Sequence, residues 1–270
     1  MKAAIIVLAV LLFTGLSFFL SVRPAGKVHA EAPDQMQPIR PVVVELFTSE
    51  GCSSCPPADA LLATLDQQGR LGNAEIITLE EHVDYWDQLG WRDPFSSAQW
   101  TQRQQDYAAV FRNEGIYTPQ MVVDGRAEFV GSSHSSARAA IAEASRVAKA
   151  DVTLSGVTAS PLQAHLKIDV KMLPDPAPKE AQVWLAITES ALHSDVKRGE
   201  NAGEDLHHGA VVRSLRKIAN ARSGEGTAYS GELDVPLDSA WQRQNIRLVV
   251  FLQDPKTRHI LGAASVHLAQ

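Results

Sequence analysis

The stretch that most limits what this chain can fold into runs from residue 42 to residue 65. Residues 42–47 (VVVELF) are almost unbroken apolar sequence rich in β-branched side chains. Such a run fits a strand buried on both faces, in a sheet covered by helices. Residues 56–65 (PPADALLATL) follow with helical spacing in Ala60, Leu61, Leu62 and Leu65. Their two prolines fall in a first helical turn, where a missing N–H costs nothing. Residues 75–79 (EIITL) read as a second buried strand. An α/β arrangement is therefore expected for this part.

Further along, Asp93-Pro94 reads as a helix cap and first residue, with Trp100, Gln104, Tyr107 and Phe111 on one face and Gly115 as the stop. Residues 120–124 and 127–130 flank an Asp-Gly turn as a hairpin, and residues 137–149 read as a last helix opened by 132–136. Beyond residue 150 the pattern becomes alternating, in residues 162–170, 183–188, 211–218, 232–235 and 246–252. Proline and glycine clusters punctuate these runs, the signature of an antiparallel sandwich. With 270 residues, two modest domains fit.

The first thirty residues stand apart. Lys2 precedes an apolar run over residues 3–22, and Val28-His29-Ala30 supplies a small-residue ending. This is an export signal; at twenty residues the run also suffices for an uncleaved anchor. Either way the rest lies outside the cytoplasm, periplasmic or secreted. Residues 31–41, with three prolines, read as a linker. Without residues 1–30 the chain holds 22 Lys+Arg against 31 Asp+Glu, a net charge of about -9. That acidity and the absence of any basic block argue against nucleic acid. A membrane partner is expected only if the N-terminal segment stays uncleaved.

The chain has two cysteines, both in Cys52-Ser53-Ser54-Cys55, between the first strand and the first helix. Unpaired N–H groups at a helix N-terminus favour a thiolate, the nucleophile of disulfide exchange. Cys52 would be the exposed attacker and Cys55 would resolve the mixed disulfide, on a protein thiol or disulfide substrate, with no cofactor beyond the redox-active pair. A structural disulfide is the plainer alternative, but so short a loop constrains the unfolded chain by only about 2 kcal/mol. A third reading is Cu(I) held by Cys52, Cys55 and His82, in a metal-delivery module; a fourth is a non-catalytic scaffold. No phosphate-cradling glycine motif and no nucleophile elbow are present.

Residues 42–149 resemble the thioredoxin-like superfamily in four placed features: VVVELF, CSSC at a helix start, Thr118-Pro119 before a strand, and a hairpin leading to a final helix. The resemblance implies that Pro119 is cis and faces the disulfide, with Thr118 beside substrate backbone. It also implies that Glu45, on the strand before the cysteines, relays a proton to the buried sulfur with a raised pKa. A capping role at a strand end is the alternative for Glu45. Gly51 before the first cysteine and Ser-Ser between the two depart from the usual pattern, so the direction of electron flow is not implied. More closely, ELFTSEGCSSCPPAD, HVDYWDQLGWRDPFSS and YTPQMVVDG are similar to a bacterial family of exported thioredoxin-like proteins catalogued as a domain of unknown function. The expected fold is thus an α/β thioredoxin-like domain over 42–150, with an inserted segment at about 82–107, followed by an all-β antiparallel sandwich over 151–270.

The insert carries Tyr85, Trp86, Trp91, Phe95, Trp100 and Tyr107. Trp86 and Trp91 are candidates for a substrate surface beside Cys52; a small core of the insert's own is the alternative. His82 follows the second strand, at the edge where a sheet's ligand crevice lies. The loop 199–205 and His207-His208 are charged and Gly-rich and could dock against the first domain. The two histidines are adjacent, so on a strand they point to opposite faces, and a metal site shared by the two is not expected.

Overall fold

The computed structural model describes residues 38–268 apart from Ala177 and Glu225. The signal or anchor expected over 1–30 and the linker residues 31–37 lie outside the described residues. In chain order the first half forms β1 (Arg40–Thr48), α1 (Pro56–Gln68), β2 (Arg70–Leu71), β3 (Ala74–His82), α2 (Ala98–Phe111), β4 (Gln120–Val123), β5 (Ala127–Val130) and α3 (His134–Ala144). The second half forms β6 (Val152–Ser160), β7 (Gln163–Val170), β8 (Glu180–Glu189), β9 (Leu192–Asp195), β10 (Asp205–His208), β11 (Val211–Arg222), β12 (Tyr229–Pro236), β13 (Ile246–Gln253) and β14 (Ile260–His267).

The topology corrects the expected fold class. Strands from both halves share one nine-stranded mixed sheet, ordered β14-β13-β8-β11-β3-β1-β4-β5 with β2 on the flank of β3. This is neither an α/β thioredoxin-like domain nor a sandwich that stands apart from one. The halves join where Val211 pairs with Glu80 in parallel and the Glu80 N–H donates to Ala210 O at 3.0 Å. A three-stranded sheet, β12-β7-β6, does stack on the outer half, around Leu166, Ile168, Val183, Leu185, Leu248 and Val250. Its opposing layer, however, is the shared sheet. Alternation in a sequence tells which strands have one polar face; it does not tell which strands they pair with.

Period-two alternation on β1 sorts its side chains between two layers. Val42, Val44 and Leu46 pack with Leu61, Leu62 and Leu65 of α1 and Ile141 of α3. Val43 and Phe47 face the other way, with Ile77, Leu79, and Trp100 and Tyr107 of α2. That second layer runs on to Val249 and Phe251 of β13, so it is a core common to both halves. Trp100 and Tyr107 therefore belong to the main core and build no separate core for the insert.

Local chemistry sets the ends. Pro56 and Pro57 open α1, and Gly69 closes it in the left-handed region at φ 59°, its N–H reaching Leu65 O and Asp66 O. The cap of α2 is Ser97, whose hydroxyl accepts from Gln99 N–H. The expected cap, Asp93, lies ahead of the helix and caps only the preceding turn, accepting from Phe95 N–H at 2.8 Å. At Gly125 (φ 62°) a Cβ would fall 2.0 Å from Arg258 O, so the second half presses directly on the Asp-Gly turn of the β4–β5 hairpin.

Candidate functional site

Parallel strands β1 and β3 end side by side, with Thr48 opposite His82, and chemistry-bearing residues gather beyond their C-terminal ends. Cys52 and Cys55 are joined as a disulfide at the N-terminus of α1. Both are fully buried, whereas Ser53 and Ser54 between them are exposed. The expected exposed attacker is thus covered.

The cover comes from the loop between β9 and β10, about 150 residues away in sequence. Asn201 Nδ2 donates to Glu50 O (2.8 Å) and Cys52 O (3.1 Å), and the Ser53 N–H donates to Glu200 Oε2 (3.0 Å). Gly199 rests on Trp91, where a Cβ would lie 3.1 Å from the tryptophan's own. On the other side, a Cβ at Gly51 would lie 3.1 Å from Trp86 Cβ, and Trp86 Nε1 donates to Thr118 Oγ1 at 2.9 Å. The Thr118-Pro119 bond is cis. Pro119 and Ala58 of α1 both pack on Gly131, at 3.2 and 3.1 Å from the position of its missing Cβ. The structure therefore gathers Cys52, Cys55, Trp86, Thr118 and Pro119 at one place, with Trp91 under the covering loop.

Glu45 is not part of that group. It shares the face of Val43 and Phe47, opposite to the one on which α1 packs. There its carboxylate accepts from Arg103 Nε at 2.6 Å and from the Tyr107 hydroxyl. Arg103 also lies 3.3 Å from Glu81 Oε1. Burial first, and then the Glu45 carboxylate, push the Glu81 acid well up against the pull of Arg103. A carboxylate on the strand before a CxxC is legible in sequence; the face it occupies is set by strand parity.

The acid on the cysteines' side is Asp59, one helical turn beyond Cys55, buried and accepting from the Thr48 hydroxyl at 2.6 Å. Burial, then the charge of Glu80, push its pKa up to about 7. Glu80 and His82, two apart on β3, occupy this same face, and His208 of β10 closes on them. Glu80 Oε1 lies 2.8 Å from His208 Nδ1 and 3.3 Å from His82 Nε2, and Glu80 Oε2 accepts from Gly209 N–H at 2.9 Å. Asp93 Oδ2 takes His82 Nδ1 at 2.7 Å and the Glu50 N–H at 2.8 Å, while Oδ1 accepts from Phe95 N–H at 2.8 Å in the turn ahead of α2. Glu50 Oε1 lies 3.2 Å from His208 Nε2, and Glu50 Oε2 accepts from Trp91 Nε1 at 2.7 Å.

Charge pairing decides these titrations. Burial would raise Glu80, but the charge and hydrogen bond of His208 hold it below the usual glutamate value. Burial would lower both histidines; Asp93 carries His82 well above its ordinary value, and Glu80 raises His208 to about 9. His207 points outward as alternation requires, exposed where His208 is buried. His82 faces Glu80, Asp93 and His208, and the two cysteines are bonded to each other. Of the network, His82 stood out in sequence as a candidate site residue, Asp93 only as a helix cap and His208 only as one of an adjacent pair. Asp59 was legible in retrospect as an acid on the apolar face of a helix; the charged, Gly-rich loop 199–205 does dock on the first half, through Glu200 and Asn201 on Ser53, Glu50 and Cys52.

Fold and site together define a β-rich protein with a covered CxxC disulfide at a strand-to-helix junction, sealed by a loop from its C-terminal half. The chain belongs to the family described as Protein of unknown function (DUF1223), whose model matches residues 43–253. A crystal structure of a protein from Agrobacterium tumefaciens is similar at 26% identity and a TM-score of 0.65, covering 85% of this chain and 94% of that one. HBP35 of Porphyromonas gingivalis aligns at 16% identity and a TM-score of 0.63, over 86% of this chain and 76% of its own, a likeness of fold alone. No curated protein matches the chain.

Proposed function

We propose that this chain is an exported thiol–disulfide oxidoreductase-like protein acting on protein thiols in the periplasm or outside the cell. The observation that carries the reading is the Cys52–Cys55 disulfide at the N-terminus of α1 with a buried acid, Asp59, on the same helix and titrating near neutrality. A partner thiolate attacks Cys52 Sγ, forming a mixed disulfide and releasing Cys55 as a thiolate. Asp59, one turn further along α1, supplies that sulfur's proton. A second partner thiolate then attacks the partner's own sulfur and frees Cys52, so two electrons pass to the pair and the partner leaves as a disulfide. The reverse sequence reduces a partner. Trp86, Thr118 and Pro119 flank the place where partner backbone would lie, and the 196–204 loop must lift for access. Kinship with the thioredoxin-like superfamily is proposed for the CxxC segment and the Thr118-Pro119 turn, not for the fold of the chain.

Equilibration of the purified protein with glutathione buffers tests this reading. Exchange-active pairs have potentials from about -120 to -270 mV, whereas structural disulfides fall below about -300 mV. We expect a value in the first range and a stable Cys52 adduct with oxidised glutathione in Cys55→Ser. A pair below -300 mV together with no adduct would overturn the proposal.

A further inference from the structure

The three side chains that meet at Glu80 have the donors and the surroundings of a cation site. Glu80 Oε1, His82 Nε2 and His208 Nδ1 lie within 4.8 Å of one another, and all three residues are buried. Each imidazole has its far nitrogen held by another carboxylate: Asp93 on His82 Nδ1 and Glu50 on His208 Nε2. In metal sites such carboxylates fix the tautomer and turn the free nitrogen toward the ion. His82 Nε2 is fully enclosed and has no hydrogen-bond partner; Glu80 Oε1, 3.3 Å away, is off the line that a hydrogen bond requires. A buried polar nitrogen left unpaired is costly, and a ligand to it removes that cost.

We propose that Glu80, His82 and His208 hold a divalent cation of the zinc class, through Glu80 Oε1, His82 Nε2 and His208 Nδ1. Two imidazoles and one carboxylate suit zinc and its neighbours. Tetrahedral bonds of about 2.0–2.1 Å set donors roughly 3.3–3.4 Å apart. The Glu80–His82 pair is at 3.3 Å already, and the Glu80–His208 pair at 2.8 Å needs to open by roughly half an ångström. Three carboxylates (Glu50, Glu80 and Asp93) around two imidazoles leave negative charge for a cation to offset. The cysteines are not donors, being bonded to each other, so the site does not depend on the redox reading. A groove between α1 and the β9–β10 hairpin, lined by Ala63, Asp66, His193 and His207, leads to His208.

The test is calorimetric titration of tag-free, chelator-stripped full chain, disulfide intact, with Zn(II). One equivalent should bind, and Glu80→Gln should weaken binding at least a hundredfold. The double variant Cys52→Ser/Cys55→Ser should bind as the native chain does. So should His193→Ala/His207→Ala, which removes an exposed pair on the same hairpin. Should Glu80→Gln not fold, Co(II) in the native chain decides: visible d–d bands without thiolate charge transfer support the site. Absence of saturable Zn(II) binding at micromolar metal overturns the proposal, as does binding that needs His193 and His207 but not Glu80. In either case the buried network is held by protons alone.

Discussion

Asn201→Ala should speed reduction of the Cys52–Cys55 disulfide by about thirtyfold. The side chain is 6% exposed and spends its amide on two backbone carbonyls, Glu50 O at 2.8 Å and Cys52 O at 3.1 Å. A buried hydrogen bond contributes about 0.5–1.5 kcal/mol net, so the pair holds the loop down by roughly 1–3 kcal/mol. Because the disulfide is fully covered, a reductant reaches it only in the population with the loop lifted, and the rate scales with that population. Taking about 2 kcal/mol, at 1.4 kcal/mol per tenfold, gives the factor of about thirty. The assay is pseudo-first-order reduction by dithiothreitol, quenched with an alkylating reagent and read as a mass shift. Glu200→Gln should move the rate the same way but less, since Glu200 is exposed and its bond to Ser53 is screened by water. A rate change below threefold in Asn201→Ala, with the urea midpoint unchanged, would show that this loop does not gate the disulfide.

Three further outcomes follow from the buried charges and the tight turn. Asp59 titrates at about 7 folded against 3.8 in the ordinary state, so its protonated form favours the fold below pH 4 and that advantage is lost as pH rises through 7. Asp59→Asn should flatten the decline in urea midpoint between pH 4 and 7; an unaltered pH profile would count against this assignment. Arg103→Met leaves Glu45 and Glu81 buried without their cation and should cost about 3–5 kcal/mol by urea unfolding, a loss below 1 kcal/mol refuting the ion-pair account. Gly125→Ala combines a left-handed φ with a Cβ 2.0 Å from Arg258 O. It should destabilise by at least about 2 kcal/mol, whereas a near-neutral result would mean the β4–β5 turn does not bear on the second half.

Much of the local structure was readable because its causes are local. VVVELF, the proline-opened α1, the Asp-Gly hairpin and five of the second-half strands each carry their signal within a dozen residues. The cysteines were found for the same reason. What the sequence concealed depends on registers and parity over long separations. Glu45 and Asp59 are both acids near the CxxC, and only the face of β1 assigns one to Arg103 and the other to the cysteines' side. Asp93 had every mark of a helix cap. It does accept from Phe95 N–H two residues on, but the turn so capped ends before α2, which begins at Ala98 behind Ser97, and the second carboxylate oxygen is held by a buried histidine eleven residues earlier.

The shared sheet explains why the site needs the second half at all. Val211 pairs with Glu80, and this one parallel contact fixes the end of β10 directly above the ends of β1 and β3. From there His208 reaches Glu80 and the preceding loop reaches Cys52. A domain hung on a flexible linker would pay the full ordering entropy for each of those contacts. Here that ordering comes with the sheet and with the core that Phe47 and Tyr107 share with Phe251. Alternation beyond residue 150 marked five of the nine strands there and none of their partners, because a half-buried strand looks the same whether its neighbour is its own hairpin or a strand of the first half. The covering loop and the histidine therefore belong to the CxxC site as much as the cysteines do, although their own sequence marks only a segment able to dock and not the residues it docks on.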